Sequence, residues 1–205
     1  ARDLMASGYF PYFLAIAENF GTEVVIDGKR LIMVGSNNYL GLVQDPRVKE
    51  AAIEATRRHG SGCTGSRFLN GTLELHEELE YRLAKFMNRE SAIAFSTGFQ
   101  TNQGVISSVV GKNDVVYCDR ENHASIFEGC RLSYGQVRKY LHNDMDDLER
   151  VLGLNDRGHG KLIACDGLFS MSGSLVDLPR LTELAAEYDA AVLVDADGKI
   201  HEIAN

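Results

Sequence analysis

Short, continuously apolar runs alternate with helix-like segments over the second half of the chain, and this alternation constrains the fold most. The runs are "SAIAF" (91–95), "DVVYC" (114–118), "VRKYL" (137–141), "KLIACDG" (161–167) and "AAVLVD" (190–195). Strands that are apolar on both faces and are separated by helices are typical of a parallel sheet covered on both sides. We therefore expect an α/β fold with three layers, helices on either side of a mostly parallel sheet.

The N-terminal quarter has a different pattern. "EVVIDGKRLIMV" contains two alternating runs around Asp27-Gly28, which predicts a β-hairpin with a type I′ turn. A helix follows, opened by a cap at Asp45 and closed at Gly60. A second helix carries one apolar face, formed by Leu75, Leu79, Leu83 and Phe86. We expect an N-terminal arm with a hairpin over 1–45 and the first part of an α/β domain over 46–205.

Composition argues against several classes of function. The net charge is −8 over 205 residues and Lys and Arg do not cluster, which argues against nucleic-acid binding. The four cysteines form no C-x-x-C pair, and no His/Cys spacing indicates a metal site. No run approaches the ~18 apolar residues that span a bilayer. The run "YFPYFLAIA" (9–17) is interpreted as an arm that packs on another surface, and the protein as cytoplasmic.

Polar residues follow the predicted strands, where ligands bind in open α/β sheets. Thr97 and Gly98 lead from a strand into a helix whose free N–H groups favour an anion, although an ordinary capped turn would have the same sequence. His123 stands before the next helix and could stack on a flat ligand, move protons or be structural. Ser170 lacks a G-x-S-x-G context, which favours hydrogen bonding over nucleophilic attack. Asp195 ends an apolar strand and needs a cationic partner.

One ligand suits all of these residues together. A helix N-terminus suits a phosphate, an imidazole suits the face of a flat ring, and a carboxylate suits a protonated ring nitrogen. This combination predicts pyridoxal phosphate (PLP). Four further histidines are interpreted as surface residues without partners: His59, His76, His142 and His159.

The motifs, taken in order, resemble those of the α-oxoamine synthases, a family of fold-type I PLP enzymes, from about Asp3 to Asp195. The resemblance rests on "GSNNYLGL", "GSGCTGSRFLNGTLELHEELE", "AFSTGFQTNQG", "ENHASI", "DGLFSMSG" and "VLVD". Within the family, "GSRFLNGT" and "DLMASGYFPYF" are most similar to the bacterial serine palmitoyltransferase branch.

The resemblance implies a role for each candidate residue. His123 matches the histidine that stacks on the cofactor ring, and Asp195 matches the partner of the pyridine nitrogen. Gly98 and Phe99, in the same turn as Thr97, match residues whose amides hold the phosphate. Ser170 matches a serine near the phenolic oxygen of the cofactor. Two residues in motifs that border the substrate site are also carried over: Asn38 and Arg67.

The implied reaction is the decarboxylative condensation of an amino acid with an acyl-CoA. For the serine palmitoyltransferase branch the substrates are L-serine and palmitoyl-CoA, the product is 3-ketodihydrosphingosine, and the enzyme is a homodimer. Other branches make 8-amino-7-oxononanoate, 2-amino-3-ketobutyrate or aminolevulinate. A non-catalytic subunit or scaffold of the same family is a further alternative. An aminotransferase is disfavoured by "GSRFLNGT" and "ENHASI".

The sequence departs from the family in three places. Gly198 stands where the family has a histidine, and Ser174 replaces an acid after the "SM-x-G" turn. The Schiff-base lysine of the family lies downstream of Asn205, and Lys199 is too close to Asp195 to replace it. We therefore expect the chain to be the N-terminal half of a longer enzyme, or a truncated product, inactive alone, with a sheet edge left unpaired after its fifth strand.

Overall fold

The computed structural model describes Gly8, residues 12–154, residues 159–196 and, for the backbone alone, residues 199–204. Several positions in the sequence motifs lie outside the described residues, among them Asp3, residues 9–10 of "YFPYFLAIA" and Gly198, and Lys199 is described for its backbone alone. No helix in the described part of the chain is both long and apolar enough to cross a membrane. The chain divides into two compact units, Ala1–Glu77 and Glu78–Asn205. The predicted boundary between an N-terminal arm (1–45) and an α/β domain (46–205) stays a prediction.

The second unit is built on a five-stranded sheet. Its strands in chain order are β4 (Val115–Asp119), β5 (Gln136–Tyr140), β6 (Lys161–Asp166), β7 (Ala191–Ala196) and β8 (Lys199–Ala204). Their spatial order is β5-β4-β6-β7-β8. The first four are parallel, and β8 runs antiparallel to β7. The mostly parallel sheet is therefore confirmed.

Helices connect the parallel strands, as the alternation predicts. They are α4 (Ala124–Leu132), α5 (Met145–Leu152) and α6 (Leu178–Glu187), and a further helix, α3 (Gly98–Val109), precedes β4. Asp144 caps α5 by accepting from Asp147 N, and Asp177 caps α6 by accepting from Arg180 N. Both caps were expected from the sequence, because a carboxylate satisfies the free amides of a first helical turn.

Two apolar clusters lie on opposite faces of the sheet and confirm the three layers. Tyr117 and Ile163 belong to one cluster, with Leu148 of α5 and with Leu181 and Leu184 of α6. Their sequence neighbours on β4 and β6 belong to the other, with Ile106 of α3 and Ile126 of α4. Successive strand residues point to opposite faces, so both faces must be apolar to be covered.

Two expectations at the margins of the sheet are wrong. Residues 91–95, "SAIAF", form no strand, and the Ile93 side chain is 69% exposed. The run has strand-like composition, but a strand also needs a neighbour with which to pair. Conversely, the outer edge of β7 is not left unpaired, because the backbone of β8 lies along it.

The first unit contains a small antiparallel sheet and the beginning of a helical region. Its strands are β1 (Glu18–Asn19), β2 (Glu23–Ile26) and β3 (Lys29–Ile32). The β2–β3 turn has positive φ at Asp27 (49°) and Gly28 (71°), which confirms the predicted hairpin. A 3₁₀ turn (Leu42–Gln44) precedes α1 (Pro46–His59), and α2 (Glu74–Phe86) spans the division between the units.

Both predicted ends of α1 are confirmed. Asp45 accepts from Arg47 N at 2.8 Å, and Gly60 closes the helix with φ 82°. The predicted apolar face of α2 is largely exposed, since Leu75, Leu79 and Phe86 expose 47%, 46% and 81% of their surface.

Candidate functional site

Three strands of the second unit deliver carboxylates to one edge of the sheet. Asp119 closes β4, Asp166 closes β6, and Asp195 lies one residue before the end of β7. Asp166 and Asp195 are register partners on neighbouring strands. Asp119 is fully buried and Asp166 nearly so. Buried carboxylates need hydrogen-bond donors, so the surrounding loops should supply them.

The N-terminus of α3 provides an open set of backbone donors. Thr97 caps the helix, its Oγ1 accepting from Gln100 N at 3.1 Å. The backbone N–H groups of Gly98 and Phe99 are in the first turn, so they have no acceptor within the helix and point along its axis. Within the described part of the chain, the space that a Cβ on Gly98 would enter has no other atom within 4 Å. A small anion can therefore approach these amides closely.

His123 is held by the start of α4. It is the N-cap of that helix, and its Nδ1 accepts from Ser125 N at 3.3 Å. Ser125 Oγ lies 2.7 Å from the same nitrogen. The His123 backbone N–H donates to Asp166 Oδ2 at 2.7 Å. The rings of Phe99 and His123 meet edge to face at 6.2 Å between centroids, so the N-terminal ends of α3 and α4 are adjacent.

Asn102 joins the two ends of this site. It lies one turn into α3 and is 1% exposed. Its Nδ2 donates to Asp195 Oδ2 at 2.6 Å and to Ser125 Oγ at 2.8 Å. Asp195, Asn102, Ser125 and His123 thus form one hydrogen-bonded chain. Sequence reasoning missed Asn102 and Ser125, because α3 carries several polar residues and its sequence alone does not show that Asn102 is the buried one.

The other predicted site residues are placed as follows. Ser170 is exposed in the turn after β6. Asn38 and Arg67 belong to the first unit, where Asn38 Oδ1 accepts from Val43 N at 3.3 Å and the Arg67 carbonyl accepts from Thr72 Oγ1 at 2.7 Å. The structure therefore brings together Thr97, Gly98, Phe99, His123 and Asp195. The roles of all the predicted site residues, these five included, stay predictions.

A second polar network lies at the same edge of the sheet and corrects the interpretation of His142 as a surface residue without partners. Asp119 Oδ1 lies 3.1 Å from His142 Nδ1, and His142 Nε2 lies 2.9 Å from Ser174 Oγ. The imidazole also packs edge to face on Phe169, at 4.4 Å between centroids. His142 was missed because its partners come from distant loops.

His76 was also wrongly interpreted as lacking partners. Its Nδ1 accepts from Leu73 N at 3.0 Å, and its Nε2 lies 3.8 Å from Cys63 Sγ.

Cys165 lies on β6 directly before Asp166 and is fully buried. Burial raises its pKa, and the negative charges of Asp119, Asp166 and Asp195 raise it further. A thiol in this environment stays protonated at neutral pH and does not serve as a nucleophile. Among the described residues, no group of three or more His, Cys, Asp and Glu side chains is arranged to hold a metal ion.

The arrangement fits the cofactor that the strand ends predict. PLP combines a phosphate, a flat ring and a ring nitrogen that binds a carboxylate when protonated. The open amides at Gly98 suit the phosphate, the His123 imidazole suits the flat ring, and the Asp195 carboxylate suits the protonated ring nitrogen. The residues present therefore match the chemistry of the group.

Comparison with known proteins gives the same family. The sequence pattern of the aminotransferase class I and II family matches residues 29–196. Serine palmitoyltransferase from Sphingobacterium spiritivorum is 52% identical over 194 residues, which are 95% of this chain and 49% of that protein. The 8-amino-7-oxononanoate synthase of Geobacter sulfurreducens is 45% identical over 195 residues, 95% of this chain and 50% of that protein.

Solved structures agree with these relatives. Serine palmitoyltransferase from Sphingomonas wittichii superposes with a TM-score of 0.91 at 38% identity, covering 94% of this chain and 49% of that one. The chain thus spans about half the length of the relatives that it matches. On these grounds the chain belongs to the aminotransferase class I and II family and, within it, to the PLP-dependent α-oxoamine synthases.

Proposed function

We propose that the protein binds PLP at the carboxyl edge of the sheet and condenses an amino acid with an acyl-CoA. One observation carries the proposal. Asp195 and His123, which come from different strand ends, are hydrogen-bonded into one site beside the open N-terminus of α3. This arrangement supports the proposal that the residues predicted at the strand ends bind one ligand, PLP.

In this proposal the N-terminus of α3 binds the phosphate. The backbone amides of Gly98 and Phe99 donate to it, and the helix dipole favours its negative charge. Thr97 holds the turn by capping the helix. Ser170 is proposed to donate to the phenolic oxygen of the cofactor.

Asp195 and His123 are proposed to orient the ring. The cofactor supplies an electron-withdrawing ring that stabilises negative charge on the amino acid Cα. Asp195 keeps a proton on the ring nitrogen, and the Asn102 amide holds that carboxylate in place. His123 covers one face of the ring and excludes water from it. Asn38 and Arg67 are proposed to border the substrates.

We further propose L-serine and a long-chain acyl-CoA, specifically palmitoyl-CoA, as the substrates, with 3-ketodihydrosphingosine as the product. Relatives named serine palmitoyltransferase from Sphingobacterium spiritivorum and Bacteroides thetaiotaomicron, at 52% and 51% identity, support this choice. Relatives named 8-amino-7-oxononanoate synthase at 45% identity keep another branch of the family as the alternative. We also propose that the protein is a cytoplasmic homodimer, because the family that it resembles implies one.

The test is an assay of the full-length gene product loaded with PLP. L-serine, L-alanine and glycine are each offered with palmitoyl-CoA and with a short acyl-CoA, and release of free CoA and of labelled CO₂ is measured. We expect turnover with L-serine and palmitoyl-CoA. Asp195→Asn should lower kcat by about 100-fold or more, because the ring nitrogen loses the carboxylate that keeps it protonated.

Asp146→Asn is the matched control, since Asp146 is exposed on α5. Preference for alanine or glycine would move the protein to another branch of the α-oxoamine synthases. Absence of CoA release with every pair, together with no PLP absorbance band, would favour the non-catalytic subunit and contradict the proposal.

A further inference from the structure

One buried amide group uses both of its hydrogens to connect residues of the proposed cofactor site. Asn102 and Ser125 are each 1% exposed. Asn102 Nδ2 donates to the Asp195 carboxylate at 2.6 Å and to Ser125 Oγ at 2.8 Å. The orientation of the amide follows from chemistry, because the reverse orientation would place its oxygen against a carboxylate oxygen.

The direction of the remaining hydrogen bonds follows from this one. Ser125 Oγ accepts from Asn102, so its own hydrogen is available for His123 Nδ1 at 2.7 Å. Ser125 N also donates to Nδ1, at 3.3 Å. Since Nδ1 accepts in both hydrogen bonds, the neutral imidazole carries its hydrogen on Nε2.

The amide is held at a cost in stability. Within the described part of the chain, Asn102 Oδ1 is buried and has no hydrogen-bond partner. A buried acceptor without a donor costs roughly 1–3 kcal/mol. An apolar residue would avoid that cost but could not donate to Asp195 and Ser125, which favours a functional reason for the amide.

We infer that Asn102 is a positioning residue that fixes the Asp195 carboxylate directly and the tautomer of His123 through Ser125. This inference rests on the proposed function, because it gives Asp195 and His123 their roles towards PLP. Asn102 contacts neither the substrates nor the reacting atoms. It acts through the two residues that orient the ring.

The experiment uses the full-length protein with four variants. Asn102→Ala removes both donors, Ser125→Ala removes the link to His123, and Ser125→Thr keeps a hydroxyl at that position. Ser107→Ala is the control on α3, because the Ser107 hydroxyl donates to Gln103 O and Gly104 O of its own helix. Nitrogen NMR of labelled histidine reports the tautomer in the cofactor-free protein, and absorbance titration reports the Kd for PLP.

In the unmodified protein we expect His123 to show an unprotonated Nδ1 and a protonated Nε2. Ser125→Ala should shift the Nδ1 signal towards the value of an imidazole that exchanges between its two tautomers. The shift should be incomplete, because the hydrogen bond from the backbone N–H of residue 125 to Nδ1 remains. Asn102→Ala should shift it in the same direction and weaken PLP binding about tenfold or more, since a hydrogen bond to a charged group is lost. Ser125→Thr should restore the wild-type signal.

The inference is overturned if Asn102→Ala and Ser125→Ala leave the His123 signals and the PLP affinity as Ser107→Ala leaves them. Should Asn102→Ala fail to fold, the Ser125→Ala and Ser125→Thr pair decides by the tautomer alone. Tautomer shifts without PLP binding by the wild type would retain the positioning of His123 and overturn the proposed function. PLP binding by the wild type, with a His123 tautomer that is the same in every variant, would retain the proposed function and overturn the positioning of His123.

Discussion

His142 bridges loops that follow three neighbouring strands of the sheet. Its imidazole lies between Asp119, which ends β4, and Ser174, in the loop after β6. Asp119 is fully buried and also accepts from Glu121 N and Asn143 N. A buried carboxylate needs hydrogen-bond partners, and removing one of them leaves part of its hydrogen-bonding capacity unsatisfied.

At this residue we predict that His142→Ala destabilises the protein. The expected loss is about 1–3 kcal/mol in the free energy of unfolding, because Asp119 loses a donor and Phe169 loses the ring against which it packs. Urea denaturation followed by circular dichroism measures the change. His159→Ala, at an exposed position, is the control, and an equal loss in both variants would contradict a bridging role for His142.

At the scale of elements, the contact between α3 and α4 depends on a glycine. A Cβ on Gly129 would lie 2.7 Å from Asn102 O and 3.0 Å from Ile106 Cδ1. Gly129 and Asn102 are both buried. The two helices that carry the candidate site can therefore approach closely only because α4 has no side chain at this point.

We predict that Gly129→Ala lowers the free energy of unfolding although it improves helix propensity. The propensity gain is about 1 kcal/mol, whereas crowding in a packed core costs typically 1–3 kcal/mol and moves the helices apart. Thermal unfolding should show a lower Tm, and the Kd for PLP should rise because Asn102 is displaced. Gly62→Ala, where the new Cβ meets no atom of the described residues within 4 Å, is the control. An unchanged Tm for Gly129→Ala would contradict this packing argument.

The elements also show which features can be predicted from sequence. The Asp45, Asp144 and Asp177 caps were predicted because their partners lie two or three residues away. The hydrogen bond from Asn102 to Asp195 joins residues 93 positions apart, and no local pattern reports such a partner. "SAIAF" failed as a strand for the same reason, since pairing depends on a distant neighbour.

At the scale of the molecule, the two compact units differ in how much apolar surface they bury. In the described part of the first unit, Val24 is the buried apolar residue, whereas both faces of the sheet in the second unit are covered. β4 is buried along its whole length, and every residue of β3 is exposed. Because local stability follows burial, the two units should open with different free energies.

We predict that hydrogen exchange separates the units. The amides of β4 and β6 should exchange slowest, close to the rate set by global unfolding, and those of β2 and β3 at least about tenfold faster. Mass spectrometry of peptides from the two regions measures these rates. Equal protection in β3 and β4 would contradict the difference inferred from burial.

His123 is both the cap of α4 and the residue proposed to face the ring of the cofactor. Its imidazole is immobilised by the hydrogen bond that starts the helix, so its rotational entropy is lost when the chain folds. A ligand that binds afterwards avoids an ordering cost of roughly 0.5–1.5 kcal/mol for this side chain. His123→Asn, which keeps a capping group but removes the ring, would separate these contributions, preserving the helix while losing the surface offered to a flat ligand.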